Sequence, residues 1–221
     1  MTIRILFPRA FGGNHQVETD AVGDGVQCEF AGGFDKVTEE QWRNCDGIVG
    51  TQLPPELMDK IDSCRVFVKP AVGFDDVDLD SWSNRGIPVC NTPDYGTREV
   101  ADHAIALMLT LTKSIAFHDE ALRHDTIKNW RPALNPYGRR MADCTFGVVG
   151  LGRIGTAAAL RAKAFDMDVV FFDPYKPNGS ELALGIKRAD TLEELLNQSD
   201  VVSVHAPLNE ETRNLIDAKS L

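Results

Sequence analysis

The stretch that decides the fold reads Cys144-Thr145-Phe146-Gly147-Val148-Val149-Gly150-Leu151-Gly152-Arg153-Ile154-Gly155. A short apolar run leads directly into the pattern G-x-G-x-x-G, whose glycines stand at positions 150, 152 and 155. An alanine-rich segment follows at 156–165, and a second apolar run, Val169–Phe172, ends at Asp173. This order predicts a strand, a tight turn, a helix and a second parallel strand.

Each glycine of the pattern has a physical reason. Gly150 permits the tight turn out of the strand, Gly152 lets the backbone approach a pyrophosphate, and Gly155 lets the helix pack against the strand. The free N–H groups around Arg153 and Ile154, at the start of the helix, are then expected to point at the phosphates, assisted by the helix dipole. The pattern therefore predicts a dinucleotide site.

The acidic residue after the second strand predicts which dinucleotide binds. Asp173 lies 18 residues after Gly155, where a carboxylate accepts hydrogen bonds from the adenosine ribose and repels a 2′-phosphate. We therefore expect NAD rather than NADP. Two alternatives stay open on these residues alone: an S-adenosylmethionine methyltransferase, which also combines a glycine turn with an acidic residue, and a glycine turn that binds nothing.

Short apolar runs alternate with helical stretches along most of the chain, which predicts an α/β fold with parallel sheets. The predicted strands are Ile3–Phe7, Gly47–Thr51, Arg65–Val68, Ile87–Cys90, Phe146–Val149, Val169–Phe172 and Val201–Val204. The predicted helices are Pro55–Ile61, Leu79–Asn84, Arg153–Phe165 and Leu192–Gln198, together with one long connecting helix over Thr97–Arg123. Residues 127–143, rich in proline and arginine, are expected to form a loop.

Composition limits the classes of function. The 221 residues carry a formal net charge of −10, which disfavours nucleic acid and anionic membranes as partners. No apolar run approaches the ~20 residues that span a bilayer, and the N-terminus is expected to be a buried strand rather than a secretory signal. The five cysteines are scattered, which argues against a zinc site or a disulfide framework and favours the cytoplasm.

Several motifs, in the expected order, resemble those of the D-isomer-specific 2-hydroxyacid dehydrogenases, within them most closely the branch of phosphoglycerate dehydrogenases and C-terminal-binding-protein corepressors. The resemblance covers most of the chain and is densest from Arg65 to Leu221. Its motifs are Val72–Asp78, Gly86–Pro93 followed by Glu99–His103, the glycine pattern Gly150–Gly155, and Asp200–Leu208 followed by Glu211–Ile216.

The resemblance implies two doubly wound parallel-sheet domains. Residues 1–92 would form a flavodoxin-like substrate domain, and residues 93–221 an incomplete Rossmann NAD domain opened by the long helix. The implied substrate-binding residues are the backbone N–H groups of Ala71, Val72 and Gly73, with Lys69 supplying a positive charge. The implied cofactor contacts, beside the glycine pattern and Asp173, are Val100, Arg153, Ile154, His205, Ala206, Pro207 and Thr212.

The substrate loop departs from the family pattern R-x-G-V-G. This chain reads Lys69-Pro70-Ala71-Val72-Gly73, so a lysine replaces the arginine fork and alanine adds a methyl group. The family's catalytic arginine, glutamate and histidine would all lie beyond Leu221, so no catalytic residue is expected within this chain. We expect a truncated piece of a longer protein, the alternative being a natural short product.

The resemblance implies hydride transfer between NAD(H) and a small D-2-hydroxy acid or 2-oxo acid in a homodimeric enzyme. The residue patterns predict no metal site, and the scattered cysteines favour the cytoplasm. An alternative is an NAD-sensing corepressor or scaffold of the same fold without significant turnover, and a third is a degenerate product without function. The other candidate residues are expected to have structural or solvent-exposed roles. We expect His103 to be structural, Asp75–Asp80 to form a solvated turn rather than a calcium site, and Arg139 and Arg140 to lie in a solvated loop.

Overall fold

The computed structural model describes residues 2–9, 13–130 and 138–220 of the chain. The backbone divides into two compact units, Met1–Tyr95 and Gly96–Leu221, which we call the first and second unit. The division falls three residues after the boundary at residue 92 that the sequence suggests.

The described residues of the first unit form a five-stranded parallel sheet in the order β2-β1-β3-β4-β5. An order of 2-1-3-4-5 is typical of flavodoxin-like folds. The strands are β1 (Ile3–Phe7), β2 (Val26–Phe30), β3 (Gly47–Val49), β4 (Val66–Lys69) and β5 (Val89–Asn91). The α-helices are α1 (Gln16–Ala21), α2 (Glu39–Asn44) and α3 (Leu79–Asn84), with 3-10 turns at Phe34–Lys36 and Pro55–Lys60.

The core of the first unit lies on one face of its sheet. Alternate strand residues point to opposite faces, and Leu6, Ile48 and Phe67 point to the face where Trp42 and Trp82 pack from α2 and α3. The rings of Phe67 and Trp82 stack with centroids 4.5 Å apart. This packing fixes β4 at the centre of the core and thereby positions the loop that follows it.

The described part of the second unit contains four parallel strands in the order β8-β7-β6-β9. This is the 3-2-1-4 order of a Rossmann fold, whose ligands bind where the strand order reverses, here between β6 and β9. The strands are β6 (Thr145–Val149), β7 (Asp168–Phe172), β8 (Lys187–Arg188) and β9 (Val201–Val204). The α-helices are α4 (Thr97–Thr112), α5 (Ile115–His124), α6 (Thr126–Asn129), α7 (Arg153–Lys163), α8 (Ser180–Leu184) and α9 (Leu192–Gln198).

Small side chains bring α7 close to its neighbours. Ala158, Ala159 and Ala162 are fully buried against β6 and β7, in one core with Phe146 and Phe171. Helix α4 packs along α7 and contributes its buried stripe to the same core. The start of α7 is therefore held firmly against the end of β6.

The prediction of one long helix over Thr97–Arg123 was wrong. Two helices, α4 and α5, are bent by 58° at Lys113 and Ser114. Ser114 takes a left-handed conformation with φ 56°, and its N–H donates to the Leu111 carbonyl at 3.1 Å, which closes the last turn of α4. Serine is a weak helix former, and the buried stripe of α4 ends at Thr112, so little favours continuing the same axis.

No single helix in the described ranges is long and apolar enough to cross a membrane. Helices α4 and α5 meet the length and composition criteria only when taken together as a bent pair.

Other elements also differ from the sequence-based expectations. The predicted helix Pro55–Ile61 is a 3-10 turn, and the predicted loop 127–143 overlaps α6 and contains a 3-10 turn at Met141–Asp143. The prolines at 132 and 136 lie outside the described residues. Strand β2 alternates apolar with polar residues and was not predicted. Also unpredicted were α1, α2, α8 and β8, all of six residues or fewer.

Candidate nucleotide-binding site

The glycine turn lies at the carboxyl end of β6, directly beside the end of β9. Gly150 has φ 90°, a conformation that favours glycine, and its N–H donates to the Phe172 carbonyl at 2.9 Å. A Cβ at this position would lie 2.8 Å from the Ala206 nitrogen and 2.9 Å from the carbonyl carbon of His205. Gly150 is therefore needed for the turn and also for the close approach of the loop after β9.

The other two glycines of the pattern have opposite surroundings. A Cβ on Gly155 would overlap the Gly150 carbonyl oxygen and lie 3.2 Å from Val148 Cγ1, so this glycine allows α7 to pack on the turn. A Cβ on Gly152 would meet nothing within 4 Å. The space above Gly152 is open, as a cradle for a phosphate group requires.

The first turn of α7 presents backbone donors. Within the described residues, the N–H groups of four consecutive residues donate no hydrogen bond: Gly152, Arg153, Ile154 and Gly155. The first turn contains no acidic residue, so the positive end of the dipole of this eleven-residue helix is not neutralised there. Unpaired N–H groups at a helix N-terminus form a binding site for anions such as a pyrophosphate.

Asp173 is connected to the turn by hydrogen bonds. Its Oδ2 accepts a hydrogen bond from the Leu151 N–H at 2.8 Å, and its Oδ1 accepts one from the Tyr175 N–H at 2.9 Å. Each carboxylate oxygen can accept a further hydrogen bond. The carboxylate therefore supports the turn between Gly150 and Gly152 while it remains able to accept from ribose hydroxyls.

The segment after β9 forms the other wall of the site. The His205 N–H donates to the Val149 carbonyl at 2.7 Å, and the Thr212 hydroxyl donates to the Pro207 carbonyl at 2.5 Å. Thr212 also exchanges hydrogen bonds with Asn209, 2.9 Å in each direction. A cavity of about 340 Å³ lies here, lined in part by Val204, Ala206, Pro207, Leu208, Thr212 and Leu215.

One connection across the site was not foreseen from the sequence. The Tyr175 hydroxyl donates to the Glu211 carboxylate and so joins the loop after β7 to the loop after β9. This negative neighbour raises the pKa of Tyr175. Nothing in the sequence signals such a pair, because the partners lie 36 residues apart.

Val100, the remaining predicted cofactor residue, lies in the first turn of α4. Its side chain is 46% exposed. Helix α4 packs against α7, where Asp102 and Arg161 form an ion pair at 2.5 Å. The role of Val100 in cofactor binding stays a prediction.

The predicted substrate loop follows β4 in the first unit. The Ala71 carbonyl accepts a hydrogen bond from the Thr92 N–H at 3.1 Å, and the Val72 carbonyl accepts one from Asn91 Nδ2 at 2.8 Å. Within the described ranges, the N–H groups of Ala71, Val72 and Gly73 have no acceptor. The loop thus offers three neighbouring backbone donors, and their role in binding a substrate stays a prediction.

Lys69 does not present the free positive charge that the sequence suggested. Its side chain is only 7% exposed, and its ammonium group forms an ion pair with the carboxylate of Asp76. A buried lysine is costly unless its charge is paired, and the ion pair with Asp76 offsets this cost. Asp76 was not singled out, because the sequence alone shows it as one of several acids in a turn.

Burial lowers the pKa of His205, which also lies 2.9 Å from the Ser203 hydroxyl through Nε2. At pH values below the ordinary histidine pKa of about 6.5, His205 therefore binds a proton in the unfolded chain more readily than in the folded one. We expect the free energy of unfolding to fall as the pH drops through this value, and to fall less in His205→Gln. Denaturant unfolding between pH 8 and about 5 measures this, with His103→Gln as an exposed control. Equal pH dependence in His205→Gln and the wild type would refute the assignment.

The comparisons with known proteins agree on one family. Residues 105–221 match the NAD binding domain of the D-isomer specific 2-hydroxyacid dehydrogenases. A glyoxylate reductase of Korarchaeum cryptofilum is 36% identical over 194 residues, which cover 84% of this chain and 57% of the relative. C-terminal-binding protein 1 of Caenorhabditis elegans is 33% identical over 173 residues, which cover 77% of this chain and 24% of that protein.

Among solved structures, the D-lactate dehydrogenase of Aquifex aeolicus, complexed with NAD and lactic acid, matches with a TM-score of 0.81 and 27% identity. The match covers 98% of this chain and 64% of that one. The chain therefore spans less than two thirds of the length of these three relatives.

The family match covers more than half of the chain and includes the glycine turn, Asp173 and the loop after β9. These are the elements that form the site described above. This chain belongs to the D-isomer-specific 2-hydroxyacid dehydrogenases, and its second unit contains the NAD binding domain of that family.

Proposed function

We propose that the protein is an oxidoreductase that transfers a hydride between NAD(H) and a small D-2-hydroxy acid or 2-oxo acid. The observation that carries the proposal is the row of four backbone N–H groups without acceptors at the start of α7, below the open space at Gly152. Bound there, the cofactor supplies the hydride chemistry itself. The chain's own residues bind and orient it: donors of α7 hold the pyrophosphate, and the loop from Ala206 to Thr212 borders the same end of the sheet.

Asp173 supports NAD over NADP. Its carboxylate lies at the end of β7, held by two backbone N–H groups. A fixed negative charge at this position accepts hydrogen bonds from ribose hydroxyls and repels a 2′-phosphate. The proposed cofactor is therefore NAD.

The loop Ala71–Gly73 is the proposed site for the substrate carboxylate. Three adjacent N–H donors without acceptors suit an anion. Hydrogen bonds from Thr92 and Asn91 hold the carbonyls of Ala71 and Val72 in place. We assign no acid-base residue among the 221 residues, so the proposed turnover concerns the full-length protein.

An NAD-binding corepressor or scaffold without significant turnover is the second candidate. The 33% identity with the Caenorhabditis elegans C-terminal-binding protein 1 favours it. Both candidates require NADH binding, and only the first requires a 2-oxo acid to oxidise the bound NADH.

The test is NADH oxidation by the full-length protein with glyoxylate, pyruvate and larger 2-oxo acids, followed by nicotinamide absorbance. Gly152→Val, which fills the open space above the turn, is the control for cofactor-dependent turnover. Saturable turnover that is lost in Gly152→Val supports the enzyme. Tight NADH binding without turnover of any 2-oxo acid supports the scaffold instead, and absence of NADH binding contradicts both candidates.

We propose a homodimer that forms through α4 and α5. Large apolar side chains there are exposed, with Leu107 53%, Leu111 68% and Ile115 51% exposed. Exposed large apolar side chains grouped in this way support an association surface. Sedimentation should give a dimer for the full-length protein and a monomer for Leu111→Glu, and a monomeric wild type would contradict the proposal.

The proposed location is the cytoplasm, and no nucleic-acid or membrane partner is proposed. The five cysteines are free thiols in the structure, and the net charge of −10 disfavours anionic partners. Fractionation of cells that produce the full-length protein tests the location.

A further inference from the structure

The ion pair between Lys69 and Asp76 closes the loop that carries Ala71, Val72 and Gly73. Lys69 is the last residue of β4, and its side chain is 7% exposed. Asp76 lies seven residues later, with 45% of its side chain exposed. One partner is therefore anchored in the core while the other lies at the loop surface, and the pair binds the two ends of the loop together.

Two further contacts fix the same loop without using its donors. Thr92 donates to the Ala71 carbonyl, and the Asn91 side chain donates to the Val72 carbonyl. Together with the ion pair, these contacts hold the carbonyl oxygens and the ends of the loop. The N–H groups of Ala71, Val72 and Gly73 remain available to one carboxylate.

The charges around this loop do not favour a second anionic group. Residues 69–80 contain one cation, Lys69, and four acids, Asp75, Asp76, Asp78 and Asp80, so the formal charge is 1 − 4 = −3. The only cation is neutralised by Asp76. A ligand with a phosphate or second carboxylate near the loop would meet Asp75 and Asp76 rather than a free ammonium group, which opposes its binding.

We propose that Asp76 is a specificity-determining residue, which withholds the Lys69 charge and restricts the loop to substrates whose one anionic group is the 2-oxo-acid carboxylate. The proposal rests on the proposed function and adds the substrate class: monoanionic 2-oxo acids rather than phosphorylated or dicarboxylic ones. Asp76 acts through Lys69 and need not touch the substrate.

The experiment compares the full-length wild type with Asp76→Asn, which keeps the size of the side chain and removes its charge. We measure kcat and KM for pyruvate and for oxaloacetate, which differ by one carboxylate. The ratio of kcat/KM for oxaloacetate to that for pyruvate should rise about tenfold in Asp76→Asn, because one unpaired cation at short range attracts the added carboxylate. The change should appear mainly in the KM for oxaloacetate.

Two control variants separate charge release from general effects. Asp80→Asn changes the net charge equally, but Asp80 lies in the first turn of α3 and makes no ion pair in the described part of the chain, so its ratio should stay near that of the wild type. Lys69→Met combined with Asp76→Asn removes the cation and should abolish the gain. A ratio in Asp76→Asn within twofold of the wild type, or equal to that in Asp80→Asn, overturns the proposal.

A binding measurement distinguishes failure of this inference from failure of the proposed function. Hydrogen exchange of the amides at residues 71–73 reports ligand binding without turnover. If the wild type reduces no 2-oxo acid, the proposed enzymatic function is wrong. The role of Asp76 is then tested only by the hydrogen-exchange protection of residues 71–73. The proposed role of Asp76 is supported if pyruvate protects the wild-type loop more than oxaloacetate does and if this preference is smaller in Asp76→Asn. Equal preference in the two proteins overturns it.

Discussion

Gly155→Val is expected to abolish NADH binding and to destabilise the second unit by about 3 kcal/mol or more. The first added atom, Cβ, would overlap the Gly150 carbonyl oxygen, and that oxygen belongs to the backbone of the turn. A backbone atom cannot rotate away as a flexible side chain can, so α7 has to separate from β6. The donors at the start of α7 then lose their position. Thermal unfolding and calorimetric titration with NADH measure the two effects.

Gly152→Ala is the matched control for Gly155→Val. Its Cβ meets nothing within 4 Å, and residue 152 has an ordinary φ of −75°, so we expect a wild-type melting temperature. NADH binding should still weaken about tenfold, because the methyl group occupies the space proposed for the pyrophosphate. If Gly155→Val unfolds at the wild-type temperature, α7 does not pack on the turn as described.

Asp173→Ala is expected to weaken NADH binding about 100-fold, the loss of roughly two charge-assisted hydrogen bonds. The substitution removes the acceptor proposed for the ribose, and it also leaves the N–H of Leu151 without its 2.8 Å partner. Asp173→Asn keeps an oxygen that can accept from the Leu151 N–H and should lose about tenfold.

The same pair of variants reports on cofactor choice. Asp173→Asn removes the charge that repels a 2′-phosphate, so the preference for NADH over NADPH should narrow. Titration of each variant with both cofactors measures this. A wild-type preference that survives in Asp173→Asn would show that another residue excludes the 2′-phosphate.

The sequence predicted the nucleotide-binding turn because its determinants are local. The spacing of the glycines at 150, 152 and 155 and the apolar strand that ends before Asp173 are visible in one short stretch of sequence. The close approach of His205 and Ala206 to Gly150 is not. The long apolar strands β6 and β7 were likewise recognised, with ends that differ by one residue. The pattern of apolar residues and the spacing of the glycines were enough to predict these elements.

Features set by distant contacts were not predictable. Gly147 was not singled out, yet a Cβ there would lie 2.9 Å from Leu195 Cδ2, so this glycine allows α9 to approach β6. The bend at Ser114 depends on where the buried stripe of α4 ends. The ion-pair partner of Lys69 could not be predicted, because four acidic residues follow it closely in the sequence. Their spacing does not show which carboxylate contacts the buried lysine.

Calorimetric titration of the full-length protein with NADH tests most directly whether the donors at the start of α7 bind NAD. We predict saturable binding with one site per chain, a preference for NADH over NADPH, and weaker binding in Gly152→Val without a change in melting temperature. The absence of saturable NADH binding, or unchanged affinity in folded Gly152→Val, would contradict NAD binding by these donors.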